Sequence, residues 1–337
     1  MMSEYRLESP GKNLLLVIEE NEGRLTYSVK KNDVVVICPS PIGAITEAGD
    51  LTNGLSVTAS ETEEISEEYQ LPAYKKSACL NHCRQMRLSL EKAGYEFILE
   101  ARAYDEGAAI RLVFPRKDVF IKELTGFKLG EDVRSIYASR YFSNHEEDYV
   151  RISRDDIGQN KWSFPVLVEA GANTYALITE AAVNKDYGSS MLGACAGQDG
   201  LLMIEAVPDS GERVTPFEIP WRVVLAGSLD EIVNSDVIES LNPGVYMNLF
   251  SKRAADTSFV KGGVMATTAI AEPGSIGNFT RQKEYIDYAA KMKWPYFLIE
   301  GDWREQKLLV PALVKYAASK NVAVWVSEDY SKITVAQ

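Results

Sequence analysis

Glu96-Phe97-Ile98-Leu99-Glu100-Ala101-Arg102-Ala103-Tyr104 trades polar for apolar residues along much of its length. Side chains on a strand point alternately to opposite faces, so this stretch predicts a β-strand with one face on a core and one in solvent. Turn signals bracket it: Glu91-Lys92-Ala93-Gly94 before and Asp105-Glu106-Gly107 after. The same pattern continues outward in both directions. Leu14–Ile18, Leu25–Val29, Val34–Cys38, Met86–Leu90, Ala108–Phe114, Val166–Glu169 and Tyr175–Thr179 are short runs rich in β-branched or aromatic residues. Turns such as Asn21-Glu22-Gly23 and Lys31-Asn32-Asp33 separate the early ones. Many strands, short turns and no long helical pattern imply a large sandwich of antiparallel sheets over residues 1–255.

Near residue 256 the period changes. Gly263–Ile270 is strand-like, and a helical stretch follows over Thr280–Lys291 with Thr280 as the expected N-cap. Its apolar stripe is Tyr285, Ile286, Ala289 and Ala290. Pro295–Ile299 and Asn321–Val326 then read as strands buried on both faces, with a helix over Lys307–Ser319 between them. Strand, helix, strand, helix, strand at this spacing predicts parallel βαβ units over residues 256–337. A (β/α)8 barrel needs about 250 residues, so the segment from Lys261 to Gln337 reads either as part of a barrel or as a small three-stranded appendage, complete as it stands.

Hydrophobic residues make up 46% and charged residues 25%, ordinary globular usage that can bury a large core without staples. The net charge of −12 excludes an electrostatic nucleic-acid partner, because phosphates would be repelled, and suits neutral ligands such as sugars. Met1 to Arg6 leads straight into Ser9-Pro10-Gly11 with no apolar leader, and runs such as Leu14–Ile18 are too short to cross a bilayer, so no membrane association is expected. Cys38, Cys79, Cys83 and Cys195 fit no metal-site spacing. Cys79 and Cys83 on one strand would stand roughly 13 Å apart, too far to bridge. His82 and His145 are too few for a histidine zinc site, and His82, beside Asn81, reads as a structural hydrogen-bonding residue. The four glycines of Gly188–Gly200 have no strand-to-helix frame for a phosphate, and the acidic run Glu61–Glu68 is expected to be a solvated loop.

Several strings together resemble the family 97 glycoside hydrolases. They are Ser9-Pro10, Gly23–Val29, Pro39–Gly43, Asn81-His82-Cys83, Ala101–Arg111 ending at Phe114-Pro115, Leu177-Ile178-Thr179-Glu180-Ala181-Ala182, Pro220-Trp221-Arg222 and Asp256–Gly262. Their order and spacing carry the resemblance across nearly the whole chain. It implies a mutarotase-like β-super-sandwich followed by the opening part of a (β/α)8 barrel, and so decides between the two readings of residues 256–337. It further implies hydrolysis of α-linked glucose or galactose from non-reducing ends of oligosaccharides and glycosides, with a calcium ion in the active site. A periplasmic or secreted location goes with the family.

Glycoside hydrolysis needs two carboxyl groups flanking the bond. The family takes both from later barrel strands, so no catalytic residue is assigned in this chain and the chain alone is expected to be inactive and metal-free. One calcium ligand is implied here, Glu180, in the string matched by Leu177–Ala182. Barrel enzymes act at the C-terminal ends of their strands, which makes Glu300, Asp302, Trp303, Glu328 and Asp329 candidates for substrate binding. The first strand departs from the family: Val264-Met265-Ala266-Thr267-Thr268 stands where relatives commonly carry tryptophans. That departure points to an alternative, a non-catalytic homologue that binds carbohydrate or a partner.

Overall fold

In a computed structural model, Tyr95–Tyr104 is an inner strand of a large antiparallel sheet. The structure describes residues 2–71, 74–171, 173–195, 197–207, 213–242, 261–301, 303 and 309–328. The chain divides into two compact units, Met1–Leu71 with Ala78–Ala255, and Pro72–Ser77 with Asp256–Gln337.

In the first unit one layer runs, in hydrogen-bonded order, Ser56–Gln70, Ala78–Lys92, Tyr95–Tyr104, Gly107–Phe114, Trp221–Gly227, Thr174–Ala181, Lys161–Gly171, Ile136–Arg140 and Tyr149–Ile152. The other runs Ser190–Ala194, Leu201–Ala206, Gly126–Lys128, Val34–Ile42, Arg24–Lys31, Leu14–Asn21 and Met2–Glu8. Every one of these pairings is antiparallel. Lys161–Gly171 joins the layers, pairing Trp162 with Leu192 of one and Val166 with Ile178 of the other.

The apolar halves of the alternating strands make the core. Rows such as Leu88–Leu99–Leu112 and Met86–Ala101–Ile110 cross the first layer, and with Leu16, Ile18, Tyr27 and Val29 from the second they belong to one buried cluster. Each such side chain contributes about 1.5–3 kcal/mol by leaving water. The turn at Glu22 and Gly23 has φ of 52° and 74°, and a Cβ on Gly23 would come within 2.6 Å of the Gly54 backbone. Only glycine fits there.

Two expectations are corrected in this unit. Past the exposed Glu96, the second face of Tyr95–Tyr104 does not go to solvent: Glu100 is 4% exposed and Tyr104 2%. Helices Leu229–Asn234 and Val237–Leu241 supply Ile232, Val237 and Leu241 to a second cluster with Cys83, Tyr104, Trp221, Val223 and Leu225. Nor is Glu61–Glu68 a loop. It lies within the strand Ser56–Gln70, which pairs only with Ala78–Lys92 among the described residues. Gln85 Nε2 donates to Glu63 at 2.7 Å and Asn81 Nδ2 to Glu67 at 3.3 Å, while His82 Nε2 lies 3.0 Å from Glu64. An edge strand has no second neighbour to feed with apolar side chains, and charge there blocks edge-to-edge association. The four cysteines carry no disulfide. Among the described residues no helix is long and apolar enough to cross a membrane, which says nothing of β-barrels.

Among the described residues the second unit holds three parallel strands in the order Met265–Thr267, Tyr296–Ile299, Ala323–Val326. Helices Phe279–Lys291 and Val310–Ala318 connect them. Ala266, Ile286, Ala289, Phe297, Ile299, Leu313, Ala317 and Val322 form their common core. The N-cap of the first of these helices is Asn278, whose side chain accepts from the Arg281 N–H at 3.1 Å, and not Thr280; an amide two residues upstream captures the free N–H first. Strand Ala323–Val326 is also not buried on both faces: Trp325 is 53% and Val326 42% exposed. Among the described residues it is the last strand of its sheet.

Candidate functional site

Within Thr174–Ala181, Ala176 and Ile178 point into the main core and Ala181 into the second cluster. Period-two alternation therefore turns Glu180 inward. Its cross-strand partner is Arg222, which shares a face with the core residues Val224 and Ala226. At this end of the sandwich the apolar interior gives way to an ion cluster.

Arg222 is its centre, with a side chain 0% exposed. Its Nε donates to Glu123 Oε1 at 3.0 Å and its Nη2 to Glu123 Oε2 at 2.6 Å, a two-pronged contact. Its Nη1 donates to Glu180 Oε2 at 2.7 Å. The Ser190 N–H donates to Glu180 Oε1 at 3.3 Å, so both oxygens of that carboxylate are held. The Tyr187 hydroxyl donates to Glu123 Oε2 at 2.6 Å, and the Arg213 Nε to the Tyr187 carbonyl at 2.7 Å. Arg222 and Arg213 lie 5.2 and 4.6 Å from the centre of the Tyr187 ring.

Burial by itself would loosen the proton of Arg222, but Glu123, Tyr187 and Glu180 outweigh it and push the guanidinium well up. Burial, and then the Glu123 carboxylate, push the Tyr187 phenol up. The cation is therefore permanent and the phenol stays a donor. Buried charges are stable only when paired and hydrogen-bonded. Glu123 and Glu180 both pair Arg222, and Arg213 sets a second guanidinium beside Tyr187.

Calcium takes six to eight oxygen ligands. Each Glu180 oxygen accepts one hydrogen bond and keeps a second lone pair, and the side chain is 10% exposed. Glu180 thus fits as one ligand of such an ion. Among the described residues no three His, Cys, Asp or Glu side chains gather into a metal-holding group, so it does not make a site by itself.

In the second unit Glu300 follows strand Tyr296–Ile299 and accepts the hydroxyl of Thr267, the last residue of the neighbouring strand. The two stand together at C-terminal strand ends. Trp303 packs against the core of Ala266, Phe297 and Ile299. Glu328 is partly buried, two residues past the third strand. Asp302 and Asp329 lie outside the described residues.

Sequence reasoning missed Glu123, Tyr187 and Arg213 as partners of this cluster. Arg222 left one signal: it is the lone charge in Trp221–Gly227, a strand buried at every position. On the opposite face of the same sheet Trp221 lies 5.0 Å from Arg102 and 4.4 Å from Arg111, and Glu100 is held by Arg87 at 3.1 Å and Arg111 at 2.6 Å.

The family model described as Glycosyl-hydrolase 97 N-terminal matches residues 7–243. A probable retaining alpha-galactosidase of Streptomyces bingchenggensis (strain BCW-1) is 27% identical over 347 aligned positions, covering 97% of this chain and 52% of that protein. A solved beta-arabinopyranosidase superposes with a TM-score of 0.84 at 24% identity, over 97% of this chain and 56% of that one. A glycoside hydrolase family 97 enzyme in complex with acarbose, from Pseudoalteromonas sp. strain K8, gives 0.78 at 21% identity, over 95% and 53%. At these identities the two solved structures establish the likeness of fold. The chain spans about half the length of these relatives.

Proposed function

The chain belongs to the glycosyl-hydrolase 97 family, and from that premise we propose that it supplies the sandwich and the first three barrel strands of a calcium-dependent α-glycosidase. The substrates would be α-linked galactosides or glucosides, cleaved at non-reducing ends. Glu180 would give the calcium ion one carboxylate ligand, and the catalytic pair would come from barrel strands beyond these three. What carries the reading is the clamped Glu180, which adds a second carboxylate to a guanidinium already paired by Glu123. A carboxylate held through both oxygens, each with a lone pair to spare, suits a cation. The exposed Trp325 and Val326 on the last parallel strand support a sheet that continues with further strands.

Loss of the family's tryptophans at Val264–Thr268 favours a second reading, a homologue that binds carbohydrate without cleaving it. Purified residues 1–337, assayed with aryl α-galactoside and aryl α-glucoside with and without calcium, should give no turnover. The same residues followed by a complete barrel should turn over one of the two, and lose that activity in EDTA. Calcium-dependent turnover by residues 1–337 that survives further purification would refute the assignment of the catalytic pair. No turnover by the barrel-completed protein, with sugar binding retained, would favour the second reading.

A further inference from the structure

The geometry points to Arg222, locked by Glu123, as a positioning residue that sets the orientation of the Glu180 carboxylate. The inference rests on the reading of Glu180 as a calcium ligand and deepens it.

A glutamate side chain has three rotatable torsions, and an exposed one samples many orientations. Glu180 is held at two points by groups that cannot follow it. Ser190 offers a backbone N–H at the start of strand Ser190–Ala194. Arg222 offers Nη1 while its Nε and Nη2 are engaged by Glu123, whose side chain is 1% exposed and is itself tied to Tyr187. A planar guanidinium gripped on two donors has a fixed plane, so its third donor has a fixed direction. Glu180 Oε2 meets that donor at 2.7 Å. The chain of restraint runs from Tyr187 through Glu123 and Arg222 to Glu180, all within the first unit.

Partners that orient a ligand typically change metal affinity by about 10- to 100-fold when removed. A mere space-filling ion pair would change stability and leave affinity alone. The two roles therefore separate in a binding experiment.

The test measures calcium affinity by titration calorimetry on the metal-stripped enzyme that carries residues 1–337 with its barrel, alongside thermal midpoints in EDTA. Glu180→Gln should weaken calcium binding by about 100-fold or more. Arg222→Lys keeps the charge and loses the fork, and should weaken it by about 10- to 100-fold. Glu123→Gln keeps the shape and frees half of the grip, so a loss of several-fold is expected. Should Arg222→Lys fail to fold, Glu123→Gln and Tyr187→Phe decide. Native calcium affinity in folded Arg222→Lys, or in both of those variants, overturns the positioning role while leaving Glu180 as a ligand. Native affinity in Glu180→Gln overturns the ligand reading itself, and the positioning role with it.

Discussion

Arg222→Met removes the guanidinium that bonds two carboxylates, one 1% and the other 10% exposed. It deletes three charge-assisted hydrogen bonds of 2.6, 2.7 and 3.0 Å. Breaking a buried ion pair from one side costs about 3–5 kcal/mol, because the orphaned charge stays desolvated. That is a large share of the ~5–15 kcal/mol that holds a typical domain together. Arg222→Met with Glu123→Met removes the charge and its partner together. The pair of methionines should bring stability back to within about 2 kcal/mol of the wild type, with Glu180 still held by the Ser190 N–H. The double-mutant cycle should then show a coupling of at least ~2 kcal/mol. Urea unfolding of residues 1–337 at pH 7 reads this through tryptophan fluorescence, since Trp162 and Trp221 are both buried in the first unit. The reasoning is wrong if Arg222→Met costs under about 1 kcal/mol, or if the two substitutions add within ~0.5 kcal/mol.

Glu231 closes a capping box with Ser228. The Ser228 N–H, its hydroxyl and Lys31 hold that carboxyl below its usual 4.5 despite some burial. A depressed carboxyl stabilises above its unfolded value and loses the contribution as pH falls through the folded one. At 46% exposure water screens much of it, so Glu231→Gln should cost about 0.5–1 kcal/mol at pH 7 and nothing measurable near pH 3; an equal penalty at both would contradict this. Burial and then Asp118 push the Tyr95 phenol up to about 12. A raised phenol stabilises fully below about 10 and loses that contribution as pH rises through its folded value, so urea midpoints should fall more steeply from pH 9 to 11.5 in the wild type than in Tyr95→Phe. Parallel falls would remove Tyr95 as the cause.

Elements with a core face were legible in the sequence. Tyr95–Tyr104 shows its period because Phe97, Leu99, Ala101 and Ala103 all enter one cluster, and Phe279–Lys291 shows its own because Ile286 and Ala289 meet a sheet. Ser56–Gln70 sets only Val57 and Ile65, both partly buried, against the cores, and its glutamates read as loop until hydrogen bonds from the next strand are seen. The ion cluster was hidden for a different reason. Glu123 and Arg222 are 99 positions apart, and nothing in Val119–Glu123 distinguishes a buried carboxylate from an exposed one. Family resemblance found Glu180; only the folded chain shows what holds it.

The apolar core and the candidate site depend on one another through strand parity. Glu180 faces inward because Ala176 and Ile178, four and two residues earlier, are fixed in the main core, and Arg222 does so because Val224 and Ala226 are. A one-residue slip in either strand would send its charge to the opposite face, among Ala181, Trp221 and Val223. There it would no longer meet its partner on the other strand, and the bonds that tie Glu123, Arg222 and Glu180 together would be lost. The same sandwich that buries Ile178 and Val224 therefore selects the register in which Glu180 and Arg222 meet. Register, clamp and carboxylate direction are set by one pattern of alternation.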